Sequence, residues 1–111
     1  MKVSILGTEY AIEYRSSKED KILEDSDGYT DLYSKLIVVV NDEDGNIKDY
    51  NAYRKKVLRH EIVHAFLYES GLAHNSIQVE SAWAMNEEMV DFFAIQGEKI
   101  YKAWQEVNAL D

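Results

Sequence analysis

The sequence has no cysteine and no proline among its 111 residues, only five glycines, and 12 Lys and Arg against 21 Asp and Glu. Without cysteine there is no disulfide framework and no thiolate metal site, so any transition metal must be held by imidazoles and carboxylates. The absence of proline removes Pro-rich linkers and low-complexity tracts. A formal charge of −9 opposes contact with a phosphate backbone, which excludes nucleic acid as the expected partner. The opening Met1-Lys2-Val3-Ser4-Ile5-Leu6-Gly7 is apolar for only a few residues before Glu9, too short for a secretory core or a membrane span. A cytoplasmic protein is the resulting expectation. No nucleophile elbow of the G-x-S-x-G type and no Gly-rich phosphate loop occurs, so neither serine hydrolysis nor nucleotide use is indicated.

What is present is enough apolar material, 46% of residues, for one compact domain spanning residues 1–111. Alternation around Gly7-Thr8, with Val3 and Ile5 followed by Tyr10, Ile12 and Tyr14, predicts a hairpin. Ser16 to Asp31 is rich in Asp and Glu and predicts a surface loop with one helical turn near Lys21-Ile22-Leu23. Calcium-loop spacing fails there and before Gly45, because Leu23 and Val40 stand where a first carboxylate ligand should be. Lys35 to Val40 is the strongest strand, β-branched enough to have both faces covered.

The period then changes from 2 to 3.6. Leu58, Ile62, Ala65 and Glu69 share one helical face, with Asp49 or Asn51 as N-cap and Gly71 as terminator. A second helical pattern starts near Asn75 to Val79, with Asn75 and Gln78 as a capping box, and runs through Trp83, Met89, Val90 and Phe93. Continued to residue 109 it would be about 45 Å long, too long for so small a domain. A break near Gly97 is therefore expected, with Ile100, Tyr101, Trp104 and Val107 on a third helical piece. The resulting fold class is α+β, a small and largely antiparallel sheet packed on two or three helices.

The first long helix contains His60-Glu61-Ile62-Val63-His64, an H-E-x-x-H motif. The i, i+4 spacing stacks two of the three histidines on one face as adjacent zinc ligands, and Glu61 falls beside the coordination position left open. Zinc lowers the pKa of water, and a neighbouring carboxylate can take the proton as that water attacks a carbonyl. A third ligand is needed, and the candidates are His74 or a carboxylate of the second helix, Glu80, Glu87, Glu88 or Asp91. Glu87 is preferred, because Asp91 four residues on can accept the free N–H of a ligand histidine, while Glu88 points about 100° away. Taken alone, residues 87 to 91 would be a solvated acidic strip. The eight tyrosines are core-edge residues, of which one near the cleft could donate to a tetrahedral intermediate. The strand from Lys35 to Asn41 is expected to form the sheet edge beside the zinc and to bind an extended peptide as an added strand.

H-E-x-x-H followed 22 residues after His64 by Asn86-Glu87-x-x-x-Asp91 resembles the pattern of the gluzincins, the thermolysin-like zinc peptidases. Glu87-x-x-Val90-Asp91-x-Phe93-Ala94 is similar to the second motif of the ImmA/IrrE metallopeptidases of prophages, mobile elements and stress regulators. The resemblance covers about residues 35 to 95. It implies His60, His64 and Glu87 as zinc ligands, Glu61 as general base and acid, Asp91 as partner of a ligand histidine, and a protein or peptide substrate. His74 supports a second resemblance, to the SprT-like zincins with three histidine ligands. A metzincin pattern fails at Leu67 and Ser70. The rival from another class is a regulatory or interaction module in which zinc is structural or vestigial.

Overall fold

The computed structural model describes residues 1–75 and 86–111. Four strands form one sheet: β1 (Lys2–Ile5), β2 (Thr8–Arg15), β3 (Gly28–Asp31) and β4 (Leu36–Val40), in the order β1-β2-β4-β3. Among the described residues three helices follow, α1 (Tyr50–Glu69), α2 (Leu72–Asn75) and α3 (Glu87–Glu106). The α+β class stands. β1–β2 and β3–β4 are antiparallel as expected, while β2 and β4 pair in parallel, so the sheet is mixed.

The predicted hairpin closes through Leu6 and Gly7, whose φ of 50° and 87° place both central residues in the left-handed region that a two-residue hairpin loop requires. Its alternation holds for Val3, Ile5, Tyr10 and Ile12, all buried, whereas Tyr14 emerges at the far end with its ring exposed. β4 is covered on both faces: Ile37 and Val39 join the main core against the helices, and Val38 and Val40 pack with Leu23 in a second cluster. Leu23 belongs to a 3-10 turn at Lys21–Glu24, where one helical turn was predicted. Tyr29 and Arg15 fasten that turn by donating to Asp20 Oδ2, at 2.5 and 2.9 Å.

Two expectations are corrected. The strand at Leu36–Val40 is not a sheet edge: it lies between β2 and β3, and the edge strand beside it is β3, cut from the acidic stretch that predicts a loop. Four half-buried residues, Gly-Tyr-Thr-Asp, carry no apolar alternation, so pairing with β4 rather than a local pattern makes them a strand. The second correction concerns Gly97. α3 runs through it unbroken to Glu106, because the helix begins at Glu87 with Asn86 as N-cap and its 20 residues span only about 30 Å. Gln78, Val79, Glu80 and Trp83 lie outside the described residues. A Cβ at Gly97 would meet nothing within 4 Å. Gly97→Ala is therefore expected to raise stability by about 0.5–1 kcal/mol in urea denaturation.

α1 packs centrally, between the sheet and α3. Asp49 caps it by accepting from the Ala52 N–H at 3.0 Å, and Gly71, at φ 84°, ends it. Val57, Leu58, Ile62, Ala65 and Phe66 are buried against the sheet and α3. Glu69 closes this face with a polar clasp, accepting from Lys35 Nζ at 2.6 Å, Tyr10 OH at 2.7 Å and Thr8 Oγ1 at 3.2 Å. Burial pushes the Glu69 carboxyl up, but the hydrogen bonds from Lys35, Tyr10 and Thr8 outweigh it and hold the pKa below its ordinary value. The clasp thus contributes stability above the unfolded carboxyl value of about 4.3, and loses it as pH falls through the lower folded value. Thermal melts between pH 7 and pH 3 should show a steeper acid loss in the wild type than in Glu69→Gln. At the alkaline end burial and the Glu69 carboxylate raise the Tyr10 hydroxyl, so its contribution persists below about pH 10 and is lost only above it.

Candidate metal centre and cleft

One face of α1 is buried and the other carries the two histidines, as the helical period requires. His60 and His64 are exposed, and their Nε2 atoms stand 3.1 Å apart. Two tetrahedral ligands at zinc–nitrogen distances near 2.05 Å are separated by about 3.3 Å, so the pair is spaced for one ion. Without metal the same separation suits a single shared proton, one ring donating to the other.

Glu61 lines the same cleft as the two histidines but is covered. It is 5% exposed and is the only buried charged side chain among the described residues. The Thr30 hydroxyl of β3 lies 3.0 Å from Glu61 Oε1 and 2.9 Å from the Glu61 carbonyl oxygen, joining the edge strand to the helix. No Lys, Arg or His among the described residues forms an ion pair with Glu61. A carboxylate buried without a cation is costly.

Gly28 makes this approach possible. A Cβ there would come within 2.8 Å of the Val38 carbonyl oxygen, 2.9 Å of Val57 Cγ1 and 3.3 Å of Glu61 Cγ. Only glycine lets β3 lie this close to α1. The junction opens into a cleft of about 290 Å³ lined by Gly28, Tyr29, Thr30, His60, Glu61, His64 and Tyr68. It continues past Gly28 and His60 towards Asp27, Tyr53 and Lys56, and past Thr30 and Tyr68 towards Tyr33 and His74.

β3 offers this cleft its free edge. Val40 donates to the Asp27 carbonyl oxygen at 2.8 Å, which fixes the alternation of the antiparallel ladder. Asp27, Tyr29 and Asp31 therefore turn their backbone groups to β4, and Gly28 and Thr30 turn theirs outward.

Glu87 and Asp91 are exposed on the first turns of α3, as is Glu88. Among the described residues no three His, Asp or Glu side chains gather around one point, so neither Glu87 nor His74 is brought to the histidine pair. His74 is exposed and sits beside Tyr68, ring centroids 6.3 Å apart, where the cleft opens. Tyr68 in turn stacks with His64 at 6.3 Å. Its place at i+4 from His64 was available from helical spacing. Thr30 and Gly28 had no such signal, since each acts across the fold on a residue about thirty positions away.

No protein-family model, curated protein or solved structure matches this chain. Among the described residues no helix is long and apolar enough to cross a membrane.

Proposed function

We propose that this chain is a zinc-dependent metallopeptidase hydrolysing peptide bonds of a protein or peptide partner. The observation that carries the reading is Glu61, a buried carboxylate without a cation that borders two converging imidazoles in an open cleft beside a free strand edge. His60 and His64 fit two adjacent positions on one zinc ion, and Glu87, which does not stand beside them among the described residues, is the third ligand that the resemblance of its motif to the gluzincin pattern implies. Bound zinc would supply a Lewis acid for the scissile carbonyl and bring the acidity of water close to neutral pH.

The chain's own groups do the rest. The outward N–H of Gly28 and the N–H and C=O of Thr30 hold the backbone of an extended substrate as a further strand, while the Gly28 carbonyl oxygen already accepts from Ser26 Oγ at 3.2 Å. Thr30 occupies Glu61 Oε1, and Oε2, to which no described residue donates, accepts the proton from water and returns it to the leaving amine. Tyr29 spends its hydroxyl on Asp20, so Tyr68 is the cleft tyrosine available to donate to the developing oxyanion.

Zinc titration of the purified chain tests the ligand set. Glu87→Ala is expected to weaken zinc binding by at least about tenfold, and His74→Ala to leave it unchanged. The reverse pattern would favour the SprT-like set of three histidines. Anomalous scattering at the zinc edge would identify the third ligand directly, and protein that stays metal-free after zinc supplementation at neutral pH would overturn the proposal. The absence of a third gathered donor among the described residues favours a second reading, a non-catalytic interaction module that uses the β3 edge alone.

A further inference from the structure

Beyond Thr30 the cleft widens into a cavity of about 470 Å³ at the end of the edge strand. Its walls are Ile22 from the 3-10 turn, Leu32 and Tyr33 from the turn after β3, and Tyr68 and His74 from the helices. Ile22 is 54% exposed and Tyr33 92% exposed, so large apolar surfaces stand open at its rim. Asp31 also lines it, and among the described residues no lysine or arginine does.

Asp31 carries a persistent charge there. Its Oδ1 accepts from the backbone N–H of Tyr33 at 2.9 Å and of Ser34 at 3.3 Å. Hydrogen bonds from Ser34, with that from Tyr33, hold the carboxyl below the usual aspartate value. Among the described residues the cavity is thus an apolar and aromatic slot with one ionised carboxylate, in a chain of net charge −9.

We propose that this cavity is a specificity pocket for an arginine or lysine side chain of the extended peptide, flanking the bond to be cleaved. A long basic side chain matches both halves of the slot: its stem lies along Ile22 and Leu32, and its charged end meets the tyrosine faces and Asp31. Arginine fits better than lysine, because the planar guanidinium stacks on an aromatic face while it pairs with a carboxylate. A leucine or phenylalanine would fill the apolar half and leave Asp31 without a partner. The β3 edge places the occupant, since a peptide paired with the outward groups of Thr30 runs on past Leu32 and Tyr33. This proposal rests on the peptidase reading for the word cleaved, and on the edge and cavity alone for binding.

The test measures binding and hydrolysis separately. Fluorescent extended peptides, identical except for Arg, Leu, Phe or Glu at one position scanned along the chain, are titrated against the full-length Glu61→Gln protein. Metal-stripped wild type serves as a second non-hydrolysing form. At one position Arg should bind about tenfold more tightly than Leu, with Glu weakest, and the preference should shrink as salt is raised. Asp31→Asn keeps the acceptor for Tyr33 and Ser34 but removes the charge, and should bring the Arg to Leu ratio close to one. Tighter binding of Leu or Phe, or an Arg preference unchanged in Asp31→Asn, overturns the pocket assignment. Zinc-loaded wild type is then given the same peptides. Cleavage without any Arg preference sinks the specificity proposal alone, whereas an Asp31-dependent Arg preference without cleavage sinks the peptidase reading alone.

Discussion

Glu61→Gln is expected to lower hydrolysis of an unfolded protein by about 10²–10⁴-fold, the usual contribution of a general base, while zinc content stays at the wild-type level. Gln keeps the shape of the side chain and an oxygen for the Thr30 hydroxyl, but cannot take a proton from water. It also removes a buried charge that no cation accompanies, so the variant should melt no lower than the wild type. His64→Ala should behave differently, losing zinc and activity together, because one imidazole cannot hold the ion at the affinity of two. Metal analysis, a melting curve and a protein-hydrolysis assay on the three proteins separate the cases. If the wild type cleaves nothing and Glu61→Gln still binds zinc, the interaction module replaces the peptidase.

Gly28→Ala is expected to destabilise the protein by about 1–3 kcal/mol in urea denaturation, as overpacking does in a fitted contact. The added methyl would be 2.8 Å from a backbone oxygen of β4, which cannot step aside as a flexible side-chain end can. Relief requires β3 to shift away from both β4 and α1, which withdraws Thr30 from Glu61. Hydrolysis should therefore fall more than stability alone would dictate under conditions where the variant remains folded. Gly45→Ala is the control: a Cβ there meets nothing within 4 Å, and its effect should stay within about 0.5 kcal/mol. Unchanged stability in Gly28→Ala would show that the strand does not sit on the helix as described.

Both predictions turn on residues that were unequally legible. His60, Glu61 and His64 could be read directly, because 3.6 residues per turn puts positions four apart on one face and the position between them on another. The long helix, its Asp49 cap and its Gly71 terminator were readable for the same reason: the signals lie within a few residues of what they control. The hairpin came from alternation, and the covering of both faces of β4 from its run of β-branched residues. Gly97 misled, since the break it was expected to make rested on a helix length that the later start of α3 removes.

The edge was beyond local reading. Lys35 to Asn41 has the better strand sequence, yet β3 forms the border through pairing with β4 and contact with α1. Its four residues are stabilised by partners rather than by pattern, and β-propensity is largely a measure of such partners. By itself, then, the sequence determined the α+β class, the long helix α1 and the pairing of two imidazoles one turn apart, all products of short-range backbone periodicity. Tertiary structure alone decided which strand borders the cleft, that Gly28 lets it lie against α1, and that Thr30 reaches Glu61. Those contacts join residues about thirty positions apart in the chain, and only packing of the whole sheet on the helix brings them together.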